Sequence, residues 1–143
     1  MARPDLSAVR AAAQRIAPYV HRTPVFTCQT LDQMSGATLY FKCENLQKIG
    51  AFKIRGASNA VLQLSDEQAR QGVATHSSGN HAAALALAAR NRGIPAYVVM
   101  PENAPAVKRA AVAGYGAEII SCPATLEARE TTLQAVIERT GAY

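Results

Sequence analysis

Val73-Ala-Thr-His-Ser-Ser-Gly-Asn-His-Ala-Ala-Ala-Leu-Ala-Leu-Ala-Ala-Arg-Asn-Arg-Gly-Ile-Pro-Ala-Tyr-Val-Val-Met-Pro101 contains a complete strand–helix–strand unit. Val73 to His76 reads as a short strand and Asn80 to Asn91 as a helix closed by Gly93. Ala96 to Met100 reads as a buried strand, with Pro101 after it. The same alternation continues downstream. Ala106 to Ala113 is predicted helical and closed by Gly114, Ala117 to Ser121 extended, and Thr125 to Arg139 helical with Thr125 as cap. Strands and helices alternating over short connections give βαβ units, right-handed crossovers and a parallel sheet, so the fold class is α/β with an open parallel sheet. The alanines between 82 and 89 suit close helix–sheet packing, and an alanine-rich segment is a good helix in its own right.

Upstream, Asp5 or Ser7 can cap a first helix running to Ile16, with Pro18 ending it. Thr23 to Thr27 reads as extended, and Thr30 to Met34 as a helical turn closed by Gly36. Ala37 to Cys43 is predicted to be a strand in which Leu39, Phe41 and Cys43 alternate with Thr38, Tyr40 and Lys42. A loop then leads to Gly50-Ala-Phe-Lys-Ile-Arg-Gly-Ala57, which places Lys53 in the first turn of a helix through Ser58, Ala60 and Leu64. Ser65 caps another short helix.

The 143 residues carry a net charge of +5 and are 49% hydrophobic and 17% charged, within the range of globular chains. Lys and Arg are scattered and aromatics few, which argues against a nucleic-acid surface. No apolar run approaches the ~20 residues that span a bilayer, and the residues after Arg3 are amphipathic, unlike a signal peptide. The three cysteines, Cys28, Cys43 and Cys122, are widely spaced and form no CxxC or CxxH pair. They read as reduced thiols in a cytoplasmic compartment, with no metal site.

Two stretches carry chemistry. The positive end of a helix disfavours an ammonium and promotes a neutral amine, and such a lysine attacks carbonyls to form a Schiff base. Lys53 is placed for this; taken alone, it equally reads as a solvated lysine on an amphipathic helix. Ser77 to His81 follows a strand and precedes a helix, at the carboxyl end of the sheet where ligands of open α/β sheets bind. Its backbone N–H groups suit a carboxylate or phosphate, and Ser77, Ser78 and Asn80 add donors. Ser and Asn are also ordinary N-cap residues.

Together, Tyr40-Phe-Lys-Cys-Glu-Asn-Leu-Gln47, the Lys53 stretch and His76-Ser-Ser-Gly-Asn-His81 resemble the fold-type II pyridoxal-phosphate enzymes, whose architecture is like that of the tryptophan synthase β subunit. Within that group the threonine/serine dehydratases and serine racemases are most similar. Thr23-Pro-Val25, Gly93 to Pro101 and Gly114 to Glu118 fit in the same order. The resemblance implies pyridoxal 5'-phosphate bound covalently to Lys53, with Phe52 beside its ring and Asn80 reaching its 3′ oxygen. Ser77, Ser78, Gly79, Asn80 and His81 would hold the substrate carboxylate, although a structural hydrogen bond is an equal reading for His81. Lys53 would be the base at Cα. The implied activity is dehydration of L-serine or L-threonine to a 2-oxo acid and ammonia, ranked ahead of serine racemisation, in which Ser78 would be the second base. A non-catalytic fragment binding small anions or another subunit is the third reading.

Three departures qualify the match. Ala51 stands where the family commonly has Ser. Ser78 stands where many threonine dehydratases have Ala. The nine glycines are dispersed, with no glycine-rich phosphate loop. The chain is therefore expected to be the front portion of a longer enzyme, a homo-oligomer when complete. Residues 1–65 would belong to an incomplete large cofactor domain and residues 66–143 to a small α/β domain.

Overall fold

The computed structural model describes residues 3–143. Asp5 opens the first helix, α1 (Leu6–Ile16), by accepting the Ala8 N–H at 2.8 Å, and a 3₁₀ turn containing Pro18 follows. Next come β1 (Val25–Phe26), α2 (Gln29–Ser35), β2 (Phe41–Lys42) and two 3₁₀ turns at 44–46 and 48–50. α3 (Lys53–Leu62) and α4 (Asp66–Gln71) lead into a regular alternation of β3 (Val73–His76), α5 (Asn80–Arg92), β4 (Ala96–Pro101), α6 (Ala106–Gly114), β5 (Glu118–Cys122) and α7 (Leu126–Thr140).

β3, β4 and β5 form a parallel sheet in that order, with Val73 opposite Ala96 and Val98 opposite Ile119. β4 lies in the middle, and Val98, Val99 and Met100 are fully buried. Alternation decides what each touches. Val98 and Met100 pack with Ala82 and Ala86 of α5 and Val112 of α6, whereas Val99 packs with Cys122 of β5 and Val136 of α7. The sheet is thus covered on both faces, as a parallel sheet requires. Beside β3, on the edge away from β4, Tyr143 donates its N–H to Gly72 and accepts from Ala74, at 3.0 and 2.9 Å. Among the described residues no helix is long and apolar enough to cross a membrane, and no group of three His, Cys, Asp or Glu could hold a metal ion. All three cysteines are free thiols.

α5 is buried on two sides. Ala84, Leu85, Ala88 and Ala89 pack against Ile54, Ala57, Val61 and Leu64 of the α3 region, while Ala82 and Ala86 face the sheet. One apolar cluster therefore joins residues on either side of position 65. Arg92 at the end of α5 reinforces it by donating to the carbonyls of Val61 and of Leu64, the latter at 2.7 Å. Capping follows the sequence: a capping box of Ser65 and Gln68 on α4, Thr125 accepting from Ala128 on α7, and left-handed Gly36 and Gly93 closing α2 and α5.

The N-terminal strands are shorter than expected. Only Phe41 and Lys42 of the 37–43 stretch pair, antiparallel, with Phe26 and Val25, and both short strands are exposed. No layer among the described residues packs on them, and Asp32 takes the Leu39 N–H at 2.8 Å in place of a ladder partner. α6 runs one residue further than expected and includes Gly114.

Candidate active site

Lys53 is the first residue of α3, as its place after Gly50 suggested, and it is exposed. Its neighbour Ile54 is fully buried in the cluster shared with α5, which fixes the depth of the first turn. The Phe52 ring lies beside the lysine, 5.2 Å from Nζ to its centroid, and is itself 58% exposed. Neither ring nor amine is absorbed by the core, so both are available to a ligand.

The second stretch meets the first through α5. The α5 helix begins at Asn80 with Gly79 as N-cap, and no side chain caps it. Its first backbone bond is donated by Ala83 to the Gly79 carbonyl, at 3.3 Å. The N–H groups of Asn80, His81 and Ala82 thus have no acceptor within the helix. The serines expected as caps do something else. Ser77 Oγ accepts the Gly79 N–H at 3.3 Å, a local turn, and among the described residues no hydrogen bond engages the Ser78 hydroxyl. Gly79 has a negative φ (φ −137°, ψ −147°), and a methyl added there would meet nothing within 4 Å, so its Cα faces open space.

His81 ties the stretches together electrostatically. It keeps exposed surface, yet the surrounding protein partly desolvates its imidazole and lowers its pKa, and the charges of Lys53 and His76 lower it further. Lys53 and His76 are thus within charge–charge range of His81 in the first turn of α5. With α3 and α5 packed together, Lys53, and Phe52 beside it, lie on the same side of the core as His81 of the 77–81 turn. His76 joins them without having been singled out, since one histidine at a strand end carries no periodic signal.

Behind the lysine lies a polar frame. Arg55 donates Nε to Glu44 Oε2 at 2.8 Å and Nη2 to Glu44 Oε1 at 2.7 Å, and reaches the His21 carbonyl at 3.2 Å. Thr23 Oγ1 donates to the same carboxylate at 2.6 Å, and Lys42 Nζ to the Thr23 carbonyl at 2.6 Å. The Arg55 hydrogen bonds hold the Glu44 carboxyl down at about 2, and Arg55 is raised in turn. Gln47 pairs with both the N–H and the carbonyl of His21, each at 2.8 Å. Between Gln47 and α3, Ile49 and Gly50 take left-handed backbone (φ 62° and 68°). For a β-branched residue this conformation costs about 1–2 kcal/mol. Thr23, Glu44, Gln47 and Arg55 stand within the sequence motifs, which assign them no role. Their signal was the motif itself, because contacts across an irregular segment leave no period.

A family model described as "Pyridoxal-phosphate dependent enzyme" matches residues 16–143. A serine racemase of Oryza sativa subsp. indica is 56% identical over 138 residues, which cover 96% of this chain and 41% of the racemase. A beta-hydroxyaspartate dehydratase of Paracoccus denitrificans (strain Pd 1222) is 51% identical, over 96% of this chain and 44% of the dehydratase. The solved structure of maize serine racemase superposes with a TM-score of 0.93 at 58% identity, over 96% of this chain and 42% of that one. The chain thus spans less than half the length of these relatives.

The residues present fit the amine and ring end of pyridoxal phosphate. The Lys53 amine is solvent-accessible, an aromatic face lies beside it, and an uncapped helix end with free N–H groups points to an anion.

Proposed function

This chain belongs to the pyridoxal-phosphate dependent enzymes, and from that premise we propose that the whole polypeptide racemises serine, with Lys53 and Ser78 exchanging protons on opposite faces of Cα. One observation carries the choice: the Ser78 hydroxyl is committed neither to capping α5 nor to any other hydrogen bond among the described residues. It precedes a helix whose positive end is uncompensated, and that dipole favours negative charge on a nearby oxygen. A serine is a poor base at its ordinary pKa; the helix end favours its oxyanion by about 0.3–2 kcal/mol, and a proton relay has to supply the rest. The relatives named serine racemase support the same reading.

When bound, the cofactor supplies an electron sink that makes an amino-acid Cα proton removable. The other tasks fall to this chain. The Lys53 amine would hold the cofactor and would take the proton from Cα at Nζ. Phe52 would lie against the cofactor. Ser77, Gly79, Asn80 and His81 would present backbone and side-chain donors to the substrate carboxylate, and Asn80 would also help to hold the cofactor. Residues 66–143 carry the parallel sheet and act as the small domain, with 1–65 contributing to the cofactor domain. Three free thiols suit a reducing, cytoplasmic setting.

Dehydration of L-serine or L-threonine is the second reading, favoured by the similarity to a beta-hydroxyaspartate dehydratase. It needs Lys53 but not a second base. Ser78→Ala separates the two in the whole polypeptide. D-serine formation should disappear while release of ammonia from L-serine persists. Equal loss of both would reduce Ser78 to a carboxylate ligand. A wild-type enzyme that forms no D-serine would leave dehydration as the function.

A further inference from the structure

Apart from the Phe52 ring beside its Nζ, Lys53 has no hydrogen-bond or ion-pair partner among the described residues to hold its direction. Its side chain is exposed, the preceding Phe52 offers no side-chain cap, and the chain enters α3 through two consecutive left-handed residues. The first turn has two anchors, both adjacent in sequence. Ile54 sits in the core and sets the depth of the turn. Ala57, Ser58 and Val61 seat the later turns of α3, so on the apolar side the first turn itself is held by Ile54. Arg55, one residue further, supplies the second anchor through a two-pronged bond to Glu44 and a third bond to the His21 carbonyl.

We propose that Arg55 is a positioning residue for Lys53, acting through the Glu44 carboxylate to fix the direction in which the lysine amine leaves the first turn of α3. The proposal rests on the reading of Lys53 as the amine that takes the cofactor. Glu44 suits the task because it is itself fixed. Thr23 donates to the oxygen that also receives Arg55 Nη2, and Lys42 holds Thr23 from behind. Gln47 ties His21 to the start of the left-handed kink. The frame thus grips the entry loop at one end and the helix at the other. The guanidinium matters for its shape as well as its charge. Its fork meets both carboxylate oxygens while reaching a carbonyl, which a lysine ammonium cannot reproduce. At 32% and 20% side-chain exposure, the pair is sheltered enough to keep one geometry.

The test uses pyridoxal 5'-phosphate with borohydride as a covalent probe on this chain. Phosphopyridoxyl incorporation is quantified per lysine by peptide mass, with exposed Lys108 of α6 as internal standard. Wild type should label Lys53 in preference to Lys108. Arg55→Lys and Glu44→Gln should each lower the Lys53-to-Lys108 ratio about tenfold, the scale expected of a small misplacement of a reacting group. The double variant should fall no further, because the pair acts as a unit. Circular dichroism and the urea midpoint report folding for each variant. Arg55→Lys that is folded yet labels Lys53 at the wild-type ratio would overturn the positioning role alone. A ratio that falls only in step with loss of folded protein would overturn it too. Wild type with no preference for Lys53 would overturn the underlying reading, and the positioning role with it.

Discussion

Gly72 joins α4 to β3, and replacing it with alanine tests how tightly the strand that carries the site is seated. Its backbone (φ 84°, ψ −166°) lies in a region that only glycine enters readily. A methyl there would stand 2.6 Å from the Pro95 carbonyl oxygen and 2.9 Å from Pro95 Cβ. The first clash is with backbone and cannot be relieved by a rotamer change. The same carbonyl accepts the Val73 N–H at 3.0 Å, so moving it away opens the β3–β4 ladder at its first rung. The backbone strain costs about 1–3 kcal/mol. Loss of the hydrogen bond adds about 0.5–1.5 kcal/mol. The lower entropy of the unfolded alanine chain returns about 0.4–1 kcal/mol. The expected net loss is about 0.5–4 kcal/mol, centred near 2, read as a urea midpoint lower by roughly 1 M at an ordinary slope. Gly93→Ala is the control. Its φ is 73°, but nothing lies within 4 Å of the added methyl, so only the left-handed strain of about 1–2 kcal/mol remains. Equal midpoints for the two variants, or a Gly72→Ala midpoint at the wild-type value, would refute the close-approach argument.

Other outcomes follow from the site. Gly79→Ala adds a methyl into open space at a negative φ, so the urea midpoint should move little, whereas KM for serine in the whole polypeptide should rise about tenfold or more if that space receives the carboxylate. The Glu44 carboxyl is lowered from 4.5 to about 2 on folding, so the stability it lends is complete above pH 4.5 and is lost as pH falls toward 2. That contribution is on the order of 1–2 kcal/mol once solvent screening is allowed for, and Glu44→Gln should flatten the stability profile across this window. Lys53→Met removes one of the charges acting on His81, so its imidazole pKa should rise yet stay below 6.5, because partial desolvation is the larger cause. An NMR titration with no rise would separate Lys53 from the 77–81 turn.

Legibility in the sequence followed the range of the interaction. The βαβ succession from Val73 onward was readable because each element announces itself locally, through Val-Val at 98–99 or glycine at 93. Lys53 at a helix start was readable from Gly50 and the apolar spacing after it. The role of Ser77 was not. The sequence permits a serine cap, but backbone geometry places Gly79 at the N-cap and leaves the serines outside. The pairing of Glu44 with Arg55 was invisible, since it crosses two turns and a left-handed kink with no repeat to count. The extent of β2 was overestimated, because alternation at 39, 41 and 43 describes a willing strand but not whether a partner is present to extend it. The dehydratase and racemase readings hinge on one hydroxyl, and the sequence could not say whether that hydroxyl was already occupied.

The double burial of α5 restricts its sequence in two directions. Ala82, Ala84 and Ala89 have no exposed surface, and layers press on the helix from opposite sides. Any larger side chain must wedge the sheet from α3, at a cost of about 1–3 kcal/mol for each overpacked position. Glycine, the one smaller choice, costs roughly 1 kcal/mol in helix propensity. Alanine is therefore the only residue at the bottom of the well, and substitution in either direction is uphill. Variation along the buried length of α5 is confined almost to a point, while the half-buried turn in front of it, with its Ser78 hydroxyl uncommitted among the described residues, is free to differ in chemistry. Selection can retune what the helix end binds without disturbing the axis along which it points.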